Sequence, residues 1–280
     1  MPQINKLFQA KAFTFGHQKD LLPTSYDFHL HDKYEIYFFV SGKVNYFVEK
    51  KIYTLTEGDL LVMNNKEIHK ATFTEPLPYE RYTLHFLPSL VYKLNTDSFN
   101  LLKCFEERPS GENNRIQLDQ TKKAELIQIF ARLEDIQTSE MPGYEVLSLC
   151  CLFEILVLIN TAFSSDQFHK SNVSIPNRLT PILEYIDLNI DGDLSLQALE
   201  TKFYINRYYL CRLFKSFTGS SIHEYILYKR VSRAKVLLLE GTSVTDVCMR
   251  SGFGDYSNFI RTFKKTTGIT PGQFAKSQLY

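Results

Sequence analysis

Leu210-Cys-Arg-Leu-Phe-Lys-Ser-Phe-Thr-Gly219 and Phe259-Ile-Arg-Thr-Phe-Lys-Lys-Thr-Thr-Gly268 are two copies of one pattern. Arg212 matches Arg261, Phe214 matches Phe263, Lys215 matches Lys264, Thr218 matches Thr267 and Gly219 matches Gly268, always 49 positions apart. A segment repeated at this size is a repeated structural unit. At helical period, Leu210, Leu213, Phe214 and Phe217 form the inward stripe of the first copy; Phe259, Phe263 and Thr262 form that of the second. A short amphipathic helix and a turn precede each copy. Leu196 and Leu199 face inward before Ile205-Asn206, where Asn206 is placed to cap the next helix. Val244 and Val247 do the same before Ser251-Gly-Phe-Gly-Asp255, whose glycines permit left-handed backbone. Helix, tight turn, helix is a plan whose second helix enters the major groove of DNA.

The residues left facing outward suit that role. They are Arg207, Tyr208, Cys211 and Arg212 in the first copy, and Tyr256, Ser257, Ile260 and Arg261 in the second. An arginine at the same outward place in both copies can pair with guanine or a phosphate. Lys215, Lys264 and Lys265 are placed for phosphates, and Asn206 and Asn258 complete the candidate set. The run from Ile222 to Glu240 reads as one helix, ~28 Å long at ~1.5 Å per residue. Such a rod could hold the two units near the ~34 Å repeat of the groove. Charge agrees: seven Lys and seven Arg face nine acidic residues from Pro176 onward, although the whole chain carries only +1.

The stretch from Ile182 to Phe274 resembles the AraC/XylS transcription regulators. The resemblance rests on Tyr209-Leu-Cys-Arg-Leu-Phe-Lys215, Val244-Thr-Asp-Val-Cys-Met-Arg-Ser-Gly-Phe253 and Phe259 through Pro271. It departs at Glu200 and Cys248, where a small alanine is usual, and at Asn258, where an aromatic is usual. The resemblance implies double-stranded promoter DNA, a small-molecule effector (a sugar at family level) and a homodimer as partners.

Residues 10 to 87 are strand-like. Tyr34–Val40 and Val44–Val48 are rich in aromatic and β-branched residues, and Ser41-Gly42-Lys43 between them reads as a hairpin turn. Many short strands imply a small barrel or sandwich. His29-x-His31-xxx-Glu35, followed by Gly42, resembles the first motif of the cupin barrel; Gly58 and His69 resemble the core of the second. Three imidazoles and a carboxylate suit a transition metal. The regulator resemblance instead implies a metal-free pocket, with His29, His31, Glu35, Tyr37 and His69 as its polar contacts and no cofactor. His17 and His85 have no partner pattern and read as structural.

Between these parts, Leu126, Ile129, Phe130, Leu133 and Ile136 mark an amphipathic helix. Tyr144 to Phe163 marks a second helix, apolar nearly all round, to be buried within the monomer or against a second subunit. Its greasiest part, Leu147 to Ile159, is short for a membrane span and includes Glu154. Ser164 to Asn177 is polar and reads as a linker. Five cysteines without a CxxC pair fit a reducing compartment. With no leader-like start, the expectation is a cytoplasmic protein without membrane contact. No nucleophile elbow or phosphate loop appears, so no enzyme is expected.

The fold class read from the sequence is therefore a multidomain α+β chain. A cupin-like, effector-sensing β-barrel covers 1–110, a helical dimerisation and linker region 111–170, and an all-α domain with two helix-turn-helix units 176–280. A metal-dependent cupin enzyme with a helical appendage, and an architectural DNA binder with a vestigial barrel, are the competing readings.

Overall fold

The computed structural model describes residues 12–23, 26–73, 75–139, 142–165 and 178–277. Among these residues, eight strands form two antiparallel sheets: β1 Phe13–Asp20, β2 Tyr34–Ser41, β3 Val44–Val48, β4 Lys51–Thr54, β5 Leu60–Met63, β6 His69–Phe73, β7 Tyr79–Phe86 and β8 Arg115–Ile116. One sheet runs β1-β7-β2-β5-β8 and the other β4-β3-β6. No ladder joins the two sheets, so the expected barrel is an open sandwich among the described residues. The expected hairpin between β2 and β3 does not form either. A register shift between Phe39 and Ser41, followed by Gly42 at φ 123°, throws the chain from one sheet to the other. A Cβ on Gly42 would lie 2.9 Å from the Pro78 carbonyl, so glycine is required there.

The strand period of two sorts side chains into layers. Tyr34, Ile36 and Phe38 of β2 face outward and pack, with Leu84 and Phe86 of β7, on two helices: α2 (Gln120–Thr138) and α3 (Tyr144–Ser165), which follow the short α1 (Lys103–Glu106). Tyr37 and Phe39 face the space between the sheets, with Tyr46, Leu61 and Met63. Asp119 caps α2, and its five predicted inward residues are all buried. Helix α3 is 22 residues long, long and apolar enough by length and composition to cross a membrane, and 56% of its apolar stretch is buried. Cys151, Leu152, Ile155, Leu156 and Ile159 supply the buried side, whereas Val146, Leu147 and Val157 stay exposed.

The C-terminal part is all-helical: α4 Thr180–Leu188, α5 Leu196–Phe203, α6 Arg207–Thr218, α7 Ile222–Leu239, α8 Val244–Arg250, α9 Tyr256–Thr267 and α10 Pro271–Ser277. The sequence repeat survives in atomic detail. Helices α6 and α9 are each 12 residues and end on a left-handed glycine, Gly219 and Gly268. Thr218 and Thr267 donate to the carbonyls of Phe214 and Phe263, both at 2.9 Å. Helix α7 opens with a capping box between Ser221 and Glu224.

The two parts dock, where the sequence suggested domains on a linker; residues 166–177 of that linker lie outside the described residues. Phe28, Leu30, Phe47 and Ile68 of the N-terminal part share one apolar cluster with Tyr225, Ile226 and Val231 of α7. The Phe28 and Phe47 rings lie 5.9 and 6.0 Å from that of Tyr225. Polar contacts continue along the same face of α7: Lys229 with Glu49, Ser232 with the Lys66 carbonyl, and Lys235 with Asp32 at 2.7 Å. Lys70 donates to Ser220 just before the helix.

Candidate ligand cavity and nucleic-acid surface

The space between the sheets opens into a cavity of about 180 Å3. Its walls follow from strand alternation. Glu35 and Tyr37 come from β2; Tyr46 from β3; His69 and Ala71 from β6; Arg81, Thr83 and His85 from β7. His29 and His31 reach it from the segment before β2, where His29 bridges to His69 through paired backbone hydrogen bonds of 2.8 and 3.2 Å. An apolar cavity of ~150 Å3 holds benzene, so this one has room for a small molecule. Unlike that cavity, it is lined mostly by rings and hydrogen-bonding groups.

Glu35 organises the cavity floor. Its carboxylate is buried, and Nε2 of His31, His69 and His85 lie 3.0, 3.0 and 3.2 Å from its Oε2. Tyr46 donates to its Oε1 at 3.5 Å. Burial opposes charge on Glu35, but the imidazoles of His85 and His69 hold its pKa well below the usual carboxylate range. Burial also opposes charge on His69, yet Glu35 raises it. His31 is lowered, chiefly by burial. His29 is pushed down to about 4 by burial and by the neighbouring His69, which keeps its ring neutral. Tyr37 hydrogen-bonds Tyr79, whose ring carries the Arg81 guanidinium at 4.4 Å.

All five residues expected to line the pocket do line it, but two expectations change. His29 stands beside the converging group, its ring 6.0 Å from that of His69. His85, read as structural, lies in that group because β2 and β7 pair Glu35 with His85. The signal was present in the sequence: Arg81, Thr83 and His85 alternate on one face of a strand, and period two alone would have added them. His17, also read as structural, is structural: it bridges Glu80 and Glu134 at 2.6 Å each.

On the helical part, Asn206 caps α6 by accepting from Tyr208 and Tyr209. Arg207, Tyr208, Arg212 and Lys215 are exposed on α6, as are Tyr256, Ser257, Asn258, Arg261, Lys264 and Lys265 on α9. Cys211 and Ile260 depart from the expected outward set; each is half-buried against the C-terminal core. The turns also depart. Gly252 is left-handed and a Cβ there would meet the Ile190 carbonyl at 2.3 Å, but Gly254 is not left-handed. The first turn uses exposed Tyr204 at φ 50°. Glu200, the departure that sits where a small residue was expected, accepts from the Arg207 amide at 3.1 Å and so holds the turn. Arg261 and Lys265 border a groove shared with Asp27 and Glu224.

Comparison with known proteins agrees with both halves. Residues 16–154 match the AraC-like ligand binding domain family, and residues 199–277 match the helix-turn-helix domain family. The Msm operon regulatory protein of Streptococcus mutans is 24% identical over 251 residues, covering 88% of this chain and 85% of that protein. An uncharacterized HTH-type transcriptional regulator of Staphylococcus aureus is 21% identical over 242 residues; these span 85% of this chain and 30% of that protein's length. Among solved structures, the C-terminal domain of the response regulator yesN from Fusobacterium nucleatum is 32% identical, covering 36% of this chain and 99% of that one, with a TM-score of 0.34. With a ligand-binding match across the sandwich and a helix-turn-helix match across the C-terminal helices, the chain belongs to the AraC-type helix-turn-helix transcription regulators.

Proposed function

We propose that this regulator binds promoter DNA through two helix-turn-helix units, α5–α6 and α8–α9, under the control of a sugar-sized effector in the sandwich cavity. The observation that carries the reading is the repeated geometry of α6 and α9. Both helices have the same length and the same glycine end, with an exposed arginine at the same place. Helix α7, ~27 Å long for its 18 residues, joins the units and sets their separation. Arg212 and Arg261 read bases, while Lys215, Lys264 and Lys265 bind phosphates. The cavity's mix of tyrosine rings, imidazoles, Arg81 and Glu35 favours a polyhydroxylated ligand, which needs both flat apolar faces and many hydrogen-bond partners. Two copies pair through α3. Val146, Cys150, Phe153 and Val157 recur at helical spacing on it, and all but Phe153 are exposed.

Effector control needs a ligand that favours one arrangement of the protein over another. The docked face of α7 supplies a candidate for that arrangement. On segments 28–32 and 68–70 the side chains alternate: His29, His31 and His69 face the cavity, while Phe28, Leu30, Asp32, Ile68 and Lys70 meet the helical domain. A shift of the cavity wall is thereby a shift of the seat of α7.

The test is selection of bound fragments from random DNA, with and without a panel of sugars. Enrichment of one motif with two half-sites, altered by one sugar, is the expected result; a pool without sequence enrichment would refute the DNA-reading assignment. With the motif in hand, Arg212→Ala and Arg261→Ala are each expected to lose ~1–3 kcal/mol of specific binding and to relax base preference at one position. Unchanged affinity and preference in both variants would remove them from the interface.

A further inference from the structure

The first helices of the two units end in one geometry. After α5 the Ile205 amide donates to the Glu200 carbonyl at 3.4 Å, and after α8 the Phe253 amide donates to the Cys248 carbonyl at 3.1 Å. Each bond reaches back across a single left-handed residue, the place that glycine usually takes at a helix end. In the second unit that residue is Gly252, at φ 83°; in the first it is Tyr204, at φ 50°. Ile205 and Phe253, the residues that follow, both pack on the C-terminal core. A Cβ opposes left-handed backbone, so Tyr204 costs free energy that a glycine there would not. The fold gains little in exchange, because Tyr204 is 97% exposed. A strained residue whose side chain serves no packing is the mark of a contact made with something outside the chain.

The neighbours of Tyr204 select the partner. It stands just before Asn206, the cap of α6, and Tyr208, 73% exposed, stands just after. The Arg207 guanidinium lies 5.3 Å from the centre of the Tyr208 ring. Two exposed tyrosines and an arginine thus bracket the start of the helix that carries Arg212. A recognition helix points its N-terminal residues at base edges, which brings the turn before it to the flanking sugar-phosphate chain. The Arg207 amide, which could otherwise meet a phosphate, is taken by the Glu200 carboxylate at 3.1 Å. The backbone contact at this edge therefore falls to side chains. A phenol suits it, with a hydroxyl to donate to a phosphate oxygen and a ring to cover deoxyribose. We infer that Tyr204 is a DNA-backbone contact of the first unit, donating its hydroxyl to a phosphate beside the groove that α6 enters. The inference rests on the DNA reading of α6. It also makes the two units unequal, since Gly252 offers no such side chain at the matching turn.

The experiment uses the full chain carrying Tyr204→Gly or Tyr204→Phe. Each variant is melted, and its affinity is measured across a range of salt for the fragment enriched by selection and for a random duplex. Tyr204→Gly should melt at or above the wild-type midpoint, because glycine takes the left-handed turn freely and almost no packed surface is lost. It should nevertheless bind both duplexes about tenfold more weakly, the scale of one hydrogen bond to a charged group. Tyr204→Phe, which keeps the ring and the strain, should lose most of the same factor, because the hydroxyl is what meets the phosphate. The salt slope should hold in both variants, since a neutral donor displaces no counterion, whereas Lys264→Ala should lower it by about one. Full affinity in both variants overturns the contact, and a loss confined to the enriched fragment overturns its assignment to the backbone. A lower melting midpoint for Tyr204→Gly also counts against it, by showing that the residue serves the fold. If the wild-type chain enriches no fragment, the sequence-reading proposal fails, while a tenfold loss on the random duplex still upholds Tyr204.

Discussion

Lys229→Ala is expected to destabilise the folded chain by ~3–5 kcal/mol, the range for stranding one partner of a buried ion pair. Lys229 projects from α7 toward the β3–β4 turn, where it meets Glu49 and, at 3.0 Å, Asp187 of α4. Burial opposes its charge, but those two carboxylates hold its pKa above the usual lysine range. Glu49 is only 1% exposed and sits at φ 55° in the turn between β3 and β4, so it has no solvent to fall back on. Its Oε1 also accepts from the Ile68 amide at 2.8 Å, which ties the pair to the segment that carries His69. Because the pair joins the two domains, the variant should also open the docking face, visible as faster hydrogen exchange in α7. The double variant Glu49→Gln/Lys229→Ala should recover part of the loss, since Glu49 is then neutral and Asp187 keeps its ion pair with Lys50 at 3.0 Å. A loss below ~1 kcal/mol, as for an exposed pair, with exchange unchanged in α7, would contradict this account.

Arg108→Ala is the second large effect, ~3–5 kcal/mol, for the same physical reason in a different place. Arg108 and Glu67 have side chains with 0% exposure and meet at 2.6 Å. Glu67 also accepts from the amides of Gly111 and Asn64, at 2.7 and 3.0 Å. Removing the guanidinium leaves a carboxylate with neutral donors only, two residues from His69. A drop of roughly 6–20 °C in the melting midpoint follows if the chain loses 2–4 °C per kcal/mol. An Arg108→Met/Glu67→Leu pair should cost much less, because a well-packed apolar pair replaces a buried ion pair at little net cost. If the single and double variants melt together, the ion pair is not what holds this corner.

What the sequence revealed and what it hid divide along physical lines. The helix pairs were legible because Leu210, Phe214, Phe259 and Phe263 keep a helical period and because the repeat fixes their register. The caps at Asn206, Gly219 and Gly268 were legible because they depend on local chemistry. The cavity histidines His29, His31 and His69 were found through the resemblance of their segments to the two cupin motifs. His85 was missed because its role comes from pairing with Glu35 across two strands that are about fifty positions apart in the chain. The open sandwich was missed because a hairpin and a sheet-to-sheet crossover look alike around Ser41-Gly42-Lys43. Domain docking was missed for a related reason. Tyr225, Lys229 and Lys235 occupy one face of α7, but sequence alone gives that face no partner.

The wall between cavity and α7 is a single layer of chain, made of β6 and the segment before β2, with neighbouring residues serving opposite sides. On the proposed effector reading, retargeting the cavity to a new ligand means treating recognition and output as one problem. Substituting His29, His31 or His69 moves the backbone that also carries Phe28, Asp32 or Lys70. A one-residue insertion in either segment would exchange the two sets outright, putting binding groups against the helix and coupling groups into the ligand.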